Sequence, residues 1–425
     1  MKIFDYKKEK SFIEDFLKKA QSVDKSVLKA VEEIIAMTKK DGDLALIELS
    51  NKFDKANFSC ADDFIVSQNE IDKAVKNIAP ELLEALKQAY SRIFSYHKKQ
   101  MPQDFIYDDE IGVKLGNLWR ALDKVGVYAP GGTASYPSSV LMAAVPALVA
   151  GVGEIVLCAP TSAGKISDAV LVAAQICGIK KIYKVGGAQA ISALACGTES
   201  IEKVDKIVGP GNSYIACAKK IFYGEVGIDM IAGPTDLTIV CDDDNNPDFI
   251  AADALSQLEH GIDSQVFIIT DSKNFADKIL SSIAKLSNDL ARKNIIEKSL
   301  QNSAIIIVED LNIAPEIVNK IAPEHLEISC EFADKFVAQI KNAGAIFVGK
   351  YTPESVGDYI AGPSHVLPTS GTARFASGLS VYDFLKRISL ISCDEKSFSK
   401  LAKHTEILAE SEGLGAHKLS VSIRK

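Results

Sequence analysis

The chain has 425 residues, of which 47% are hydrophobic and 24% are charged. This balance is typical of a globular protein with a sizeable core and excludes a disordered chain. At about 150 residues per domain, the length predicts two or three domains. The formal net charge of −8 argues against nucleic acid or an anionic membrane surface as the main partner.

The first segment, MKIFDYKKEKSFIEDFLKKA, separates its apolar positions with charged residues. It therefore lacks the apolar region of a secretory signal peptide. The most apolar stretch, residues 140–149, contains a proline and is far shorter than the roughly 20 residues that a membrane span needs. We expect an N-terminal arm at residues 1–20, no membrane partner and a cytoplasmic location.

Residues 1–100 are predicted to be mainly helical. Apolar residues recur at three-to-four spacing in SVLKAVEEIIAMTKKDGDLALIELSNKF and again in PELLEALKQAYSRIFSYHKKQ, which is the spacing of one helix face. Pro80 stands where a helix can begin. A single β-like stretch, IGVKLGNLWRAL, follows this helical region.

From about Lys124, short β-branched runs alternate with helical runs. The strand-like runs of the first series are GVYAP, EIVLCAP, KIYKVGG and KIVGPGN. A second series begins near Asp236, and its strand-like runs are LTIVCDD, QVFIITD, AIIIVED and AIFVGK. Such alternation predicts an α/β fold with two parallel-sheet domains, which join near residues 232–236.

The last 50 residues break this alternation. They are interpreted as a strand, one or two helices and an extended end. So short a segment buries little core by itself. We therefore expect a tail that packs on another subunit.

Four turns rich in small residues follow strand-like runs, at residues 128–132, 185–189, 207–212 and 231–236. Ligands of parallel sheets bind beyond the carboxyl ends of the strands, and glycine lets the backbone approach a ligand closely. One such turn alone is more consistent with an ordinary βα connection, but four at the same edge of the sheet favour a cofactor or substrate crevice. No G-x-G-x-x-G motif marks an ordinary dinucleotide site.

Six histidines are present, and His97 and His404 are interpreted as surface residues because charged residues surround them. His260 follows Gln257 by three residues in ALSQLEHG, which places both on one face of a helix. Imidazole and amide oxygen are both metal ligands. Taken alone, His260 is more consistent with a histidine that caps the helix end before Gly261.

Glu324 and His325 in IAPEHLEIS place two different proton carriers side by side. On one helix they would not share a face, so they can serve one site only at a helix start or a turn, and Pro323 favours a helix start. Further candidates in polar or glycine-containing segments are Asp358, His365, Glu412 and His417. Nitrogen and oxygen ligands of this kind suit zinc, so the residues by themselves indicate a metal-dependent α/β enzyme.

Eight cysteines are spread through the chain, and none forms a C-x-x-C pair. Most lie in apolar surroundings, which predicts reduced, buried thiols that act as small hydrophobic residues. A thiolate nucleophile is the alternative.

Taken together, the motifs resemble the histidinol dehydrogenase family. The matching blocks run through most of the chain, in order: GVYAPGG, GGAQAI, VGPGN, AGPTD, LSQLEHG, APEHLE and ESVGDYIAGPSHVLPTSGTARF. The family oxidises histidinol to histidine through an aldehyde, in two NAD-dependent steps. It is a zinc-containing homodimer whose C-terminal tail reaches the partner's site, so the resemblance implies NAD and zinc (Zn2+) as cofactors.

The resemblance also implies a role for each candidate residue. The zinc ligands would be Gln257, His260, Asp358 and, from the other subunit, His417. Glu324 and His325 would be the catalytic acid–base pair. The residues that contact NAD would be Tyr128, Gln189 and Asn212. The substrate would contact Thr235, Gln257, His260, His325, Asp358, His365, Glu412 and His417.

The implied architecture has two doubly wound parallel-sheet domains of an incomplete Rossmann-like type, with a helical N-terminal region. The first domain would combine residues 21–126 and 236–375 and carry the metal and catalytic residues. The second, residues 127–235, would bind NAD, and residues 376–425 would form a dimerisation tail.

One segment departs from the family pattern, which usually reads AGPSE where this chain has AGPTD. Thr235 keeps a hydroxyl group and adds a methyl group, while Asp236 keeps the charge on a shorter side chain. Three alternatives remain open at this point: a related dehydrogenase for another small alcohol, a zinc hydrolase, and an inactive scaffold that keeps zinc for stability.

Overall fold

The computed structural model describes residues 1–11, 25–131 and 135–425. Two parallel sheets and one small antiparallel sheet organise these residues, which confirms the predicted α/β class. Gly132 of the predicted turn at 128–132, and the arm beyond residue 11, lie outside the described residues.

The described strands are β1 (Lys2–Asp5), β2 (Phe105–Asp108), β3 (Lys114–Ala121), β4 (Lys124–Tyr128), β5 (Glu154–Cys158), β6 (Lys181–Tyr183), β7 (Lys206–Val208), β8 (Gly227–Ile228), β9 (Asp236–Cys241), β10 (Gln265–Thr270), β11 (Ala304–Ile307), β12 (His325–Ser329), β13 (Ala345–Val348) and β14 (Leu385–Ser392). All eight runs predicted as strands in the two alternating series are strands. Most of them are short apolar runs buried on both faces, as strands of a covered parallel sheet must be.

The longer helices are α1 (Lys25–Asp54), α2 (Gln68–Asn77), α3 (Pro80–Lys98), α4 (Pro137–Ala150), α5 (Asp168–Ile176), α6 (Gly187–Cys196), α7 (Ser213–Phe222), α8 (Pro247–Leu258), α9 (Lys273–Leu286), α10 (Lys293–Ser299), α11 (Ala314–Ile321), α12 (Ala333–Val337), α13 (Glu354–Tyr359), α14 (Glu395–Ser411) and α15 (Gly415–Ser422). The α1 segment changes direction at Gly42, whose φ of 52° interrupts the helix.

The five-stranded sheet is parallel throughout and has the strand order β6-β5-β4-β7-β8. The first strand in the chain is therefore central, and the chain proceeds first to one side of it and then to the other. In doubly wound sheets of this kind the ligand crevice lies where the direction reverses, which is here between β4 and β7.

The six-stranded sheet is also parallel, with the order β1-β11-β10-β9-β12-β13. Of the helix start or turn predicted at Glu324 and His325, the helix start does not form. Helix α11 ends at Ile321, Ala322 adopts a left-handed φ of 53°, and His325 begins β12. The run HLEIS is fully buried between β9 and β13, so its apolar residues form a central strand.

The helices α1 to α3 pack on the five-stranded sheet. Leu46 and Leu49 of α1 share a core with Ile191, and Ile71 and Ile93 of α2 and α3 share the other core of this sheet. We predicted one domain that combines residues 21–126 with residues 236–375. This prediction is wrong for α1 to α3, because these helices pack on the other sheet. An amphipathic face shows that a helix is covered, but not which sheet covers it.

The C-terminal tail begins later than the predicted residue 376, because Leu379, Val381 and Phe384 are buried in the core of the five-stranded sheet. Beyond them, β14 pairs antiparallel with β3, which confirms the β-like stretch at 111–122. The predicted extended end was wrong, since α15 occupies it.

Candidate active site

The candidate active site lies at the amino edge of the six-stranded sheet. Asp236 begins β9 and His325 begins β12, and these strands are hydrogen-bonded neighbours, with His325 opposite Leu237. Helix α8 runs back from the carboxyl end of β9, so Gln257 and His260 return to the same edge. The carboxyl-edge rule, which guided the sequence analysis, does not hold for this half of the site.

His325 is the most enclosed of the histidines in this cluster, with 3% of its surface exposed. Its Nδ1 lies 3.6 Å from a Glu354 oxygen and 3.9 Å from a Glu324 oxygen, and its Nε2 lies 3.5 Å from Asp358 Oδ1. Burial lowers the pKa of His325, but these three carboxylates outweigh it and hold the pKa well above its ordinary value. The surroundings therefore stabilise the imidazolium that forms when His325 accepts a proton.

Glu324 is held by two hydrogen bonds from residues at and just before the start of β9. The Thr235 hydroxyl donates to Glu324 Oε2 at 2.6 Å, and the Asp236 backbone N–H donates to the same oxygen at 3.3 Å. Burial, the largest cause, raises the pKa of Glu324. Burial and the neighbouring Glu324 raise the pKa of Asp236 to about 7. Both carboxyls are thus fixed and buried.

Gln257 is oriented by the same threonine, because its Nε2 donates to the Thr235 oxygen at 2.8 Å. Its Oε1 is buried and accepts no hydrogen bond from the described residues, which leaves one lone-pair donor without a partner. The ligand atoms of His260, Glu354 and Asp358 lie within 4.8 Å of one another. Nitrogen and oxygen donors in this arrangement fit a divalent ion such as zinc.

Glu354 was missed by the sequence analysis. It stands four residues before Asp358 on α13, a spacing that places both carboxylates on one helix face, and this spacing could have identified it. Its backbone N–H donates to Glu327 Oε1 at 2.8 Å. Burial and the nearby Asp358 and Glu324 carboxylates raise the pKa of Glu354 to about 8, although His325 opposes this shift.

His365 connects this cluster to the other sheet. Its Nδ1 lies 2.9 Å from the backbone oxygen of Asp358, and its Nε2 lies 3.4 Å from the hydroxyl of Ser139. Ser139 belongs to the first turn of α4, which follows β4. The amino edge of one sheet therefore faces the carboxyl edge of the other across His365.

Tyr128, Gln189 and Asn212 all lie at the carboxyl edge of the five-stranded sheet, where the sequence placed them. Tyr128 ends β4, and its hydroxyl accepts from the Gly187 N–H at 3.3 Å. Gln189 is buried in the first turn of α6. Asn212 caps α7, because its side-chain oxygen accepts from two backbone N–H groups of the first turn.

Glu412 and His417 are exposed on the tail, at the end of α14 and within α15. Within the described part of a single chain, His417 does not join the cluster of His260, Glu354 and Asp358. Two of the predicted site residues are thus not brought to the site by the fold of one chain.

The remaining predictions concern two further histidines, the cysteines and membrane-spanning helices. His97 is fully buried, with Nδ1 at 2.7 Å from Gln100 Oε1, so its interpretation as a surface residue was wrong; His404 is exposed, as predicted.

All eight cysteines, which lie within the described residues, are free thiols. Burial raises the pKa of Cys177 to about 12 and that of Cys330 to about 11, which disfavours a thiolate nucleophile. No described helix is both long and apolar enough to cross a bilayer.

Comparison with known proteins gives consistent results for sequence and structure. The family model described as histidinol dehydrogenase matches residues 17–425. The histidinol dehydrogenase of Rhizobium meliloti (strain 1021) is 47% identical over 410 residues, which are 96% of this chain and 94% of that protein. The enzyme of Rhodospirillum rubrum is 49% identical over 396 residues, with coverage of 93% and 91%.

A solved structure agrees with these sequence matches. The crystal structure of histidinol dehydrogenase from Elizabethkingia anophelis superimposes with a TM-score of 0.91 at 39% sequence identity, covering 95% of this chain and 93% of that one. Family model, relatives and structure span nearly the whole chain. The chain therefore belongs to the histidinol dehydrogenase family, the NAD-dependent oxidoreductases that convert histidinol to histidine through an aldehyde in histidine biosynthesis.

Proposed function

We propose that His325 is the base in both oxidation steps and that Glu324 activates the water that is consumed between them. The observation that carries this assignment is the buried pair itself. The two side chains are buried and approach to 3.9 Å, and hydrogen bonds with Thr235 and Asp236 hold Glu324. An acid–base residue must first be held at the reacting atoms.

In the first step, His325 accepts the proton of the alcohol oxygen while hydride leaves the same carbon for NAD. Loss of one hydride and one proton converts the alcohol to the aldehyde. The carboxylates of Glu354 and Asp358 face the ring and stabilise the positive charge that His325 gains.

In the second step, water must add before another hydride can leave, because the aldehyde has no hydroxyl proton to release. Glu324 takes a proton from this water as the water oxygen bonds to the carbonyl carbon. His325 returns the proton that it gained in the first step to the carbonyl oxygen, so that a hydrate forms and His325 is again a base. His325 then takes a hydroxyl proton from the hydrate as the second hydride leaves for a second NAD. Enclosure of the site keeps the aldehyde from side reactions between the steps.

Gln257, His260, Asp358 and the His417 of a second copy of the chain would hold a zinc ion. The unpartnered Gln257 oxygen and the cluster of His260 and Asp358 support this set, and Glu354 is a further candidate. When bound, zinc would orient the imidazole and amine groups of the substrate. His365, Thr235 and Glu412 would complete the substrate contacts.

We assign the NAD site to the carboxyl edge of the five-stranded sheet, with contacts from Tyr128, Gln189 and Asn212. Support comes from the strand order, because doubly wound sheets bind ligands where the order reverses, which is beside β4 in this sheet. It also comes from α6 and α7, whose N-termini both lie at this edge, since helix N-termini attract phosphate groups.

The functional unit that we propose is a homodimer with exchanged tails. The tail and the strand beneath it expose large apolar side chains that a monomer would leave in water: Phe105, Ile106, Ile391, Leu408, Leu419 and Ile423. A surface of this kind marks an interface, and a second copy of the chain can cover it symmetrically. The eight free thiols are consistent with a cytoplasmic location, where thiols stay reduced.

Replacing Glu324 with glutamine tests whether Glu324 activates the water and His325 does not. The amide keeps the shape and can still accept from Thr235, but it cannot take a proton from water. We expect the second oxidation to slow by about 100-fold or more, while the first continues. NADH formed per histidinol should fall from two toward one, with aldehyde accumulating. If both steps slow equally, the assignment of Glu324 to water activation is wrong.

Thr235 offers a second test, because its hydroxyl joins Glu324 to Gln257. Thr235→Val keeps the shape but removes both hydrogen bonds, and kcat/KM for histidinol should fall about tenfold or more. Thr235→Ser, which keeps the hydroxyl and restores the residue usual in the family, is the matched control and should stay within about threefold of the original activity. A larger loss in Thr235→Ser than in Thr235→Val would show that the methyl group, not the hydroxyl, is what matters.

A further inference from the structure

The turn that carries Asn212 is attached to a buried ion pair. Lys219 lies on α7 and Asp229 follows β8, and their side chains are 2% and 1% exposed. Lys219 Nζ contacts Asp229 Oδ1 directly and also donates to the backbone oxygen of Gly209 at 2.9 Å. Asp229 Oδ2 accepts the backbone N–H of Gly209 at 2.8 Å. Both charged groups therefore hold the peptide groups of one glycine.

Gly209 needs such support because its conformation is unusual. Its φ is 121°, and a Cβ built on it would lie 2.1 Å from the backbone oxygen of Tyr128. The turn therefore packs closely against the end of β4, which is the strand at which the strand order reverses. A side chain of any other residue would not fit here, and a glycine without external hydrogen bonds would have many other conformations available.

Stability by itself does not explain the pair. Two charges buried in a protein core lose most of their hydration, and an apolar pair of similar volume is often as stable or more stable. What the charges add is geometry, since they fix where the turn stands. Asp229 Oδ1 also accepts the Met230 N–H at 2.6 Å, and so holds the start of the segment that continues to Thr235.

We propose that Lys219 and Asp229 are positioning residues for NAD: they fix the turn at residues 209–212 in the conformation that binds the dinucleotide. This inference rests on the proposed NAD site. A displacement of about 1 Å in a binding group can cost up to 100-fold, so a loosened turn should weaken NAD binding while the substrate cluster keeps its own supports.

The test compares Lys219→Met, Asp229→Asn and the double variant, in which neither charge is left buried alone. We expect KM for NAD and Kd for NADH, measured by fluorescence titration, to rise about tenfold or more. KM for histidinol, kcat at saturating NAD and the metal content should change by less than about threefold. A merely structural role would lower the melting temperature without this separation of the two KM values.

Lys206→Met is the matched control. Lys206 also donates to a backbone oxygen and to a carboxylate, both of Asp383, at 2.7 and 3.2 Å, but it lies at the opposite end of β7. It should lower stability and leave NADH binding unchanged.

Asn212→Ala separates this inference from the function on which it rests. If Asn212→Ala weakens NADH binding but the folded Lys219 and Asp229 variants bind NADH within about threefold of the unmodified protein, the positioning role is wrong and the NAD site stands. If Asn212→Ala binds NADH normally, the NAD site itself is wrong and the inference falls with it. Any one of the three pair variants that folds is sufficient, and if none folds, the pair is structural and the proposal is rejected.

Discussion

Replacing His325 with alanine is expected to abolish both oxidations, with kcat for histidinol and for the aldehyde lowered by about 100-fold to 10,000-fold. The reason is geometric. His325 is the imidazole that three carboxylates face in the buried site, at 3.5 to 3.9 Å, and these carboxylates stabilise its protonated form. Without the ring, no imidazole remains at that position to receive the proton of either hydroxyl group.

The measurement is NADH formation under single-turnover conditions, started from histidinol and separately from the aldehyde. His97→Ala is a useful control, because His97 is also buried but lies outside the cluster; it should lose stability and keep its chemistry. His404→Ala should change neither property, since His404 is exposed. A shared base is contradicted if His325→Ala loses only the alcohol step, or if it keeps more than about a tenth of either rate.

Mixing two inactive variants should restore activity, which is the strongest expectation for the tail. His417→Ala is expected to lose metal and nearly all activity, as His325→Ala loses activity. If His417 acts on the site of a second copy, a hybrid dimer of the two variants contains one complete site. With random pairing, about one quarter of all sites should be complete, so activity should return to about that fraction.

The control for this experiment mixes two variants whose substitutions both lie outside the C-terminal tail. His325→Ala mixed with His260→Ala cannot form a complete site in any hybrid, so its activity should stay at the level of the separate variants. No recovery in the His325 and His417 mixture, although metal analysis and sizing show that hybrids form, would mean that each tail serves its own chain. Normal metal content in His417→Ala would remove it from the ligand set.

Together these experiments distinguish the alternatives that the residues by themselves left open. A zinc hydrolase would not form NADH, and an inactive scaffold would be insensitive to changes at Glu324 and His325. The family assignment already favours a dehydrogenase, and the stoichiometry of NADH per histidinol tests whether this chain uses the substrate of its relatives.

The sequence by itself determined the α/β class and most of the strands. Runs such as EIVLC and QVFIIT are recognisable because burial on both faces needs a continuous apolar stretch of strand length. It also placed the turns after β4, β6 and β7 at the carboxyl edge of a sheet, since that position follows from local order along the chain. Glu324 and His325 were found as a pair because adjacency is visible in one dimension.

Only the tertiary structure decided how these parts meet. The pair begins a strand at an amino edge, because HLEIS is enclosed between β9 and β13, and no local pattern records strand neighbours. Glu354 reaches His325 from a later helix, and helices α1 to α3 cover the sheet that follows them in the chain. Contacts of this kind depend on which surfaces exclude water together, and a hydrophobic pattern states that a face is buried but not against what.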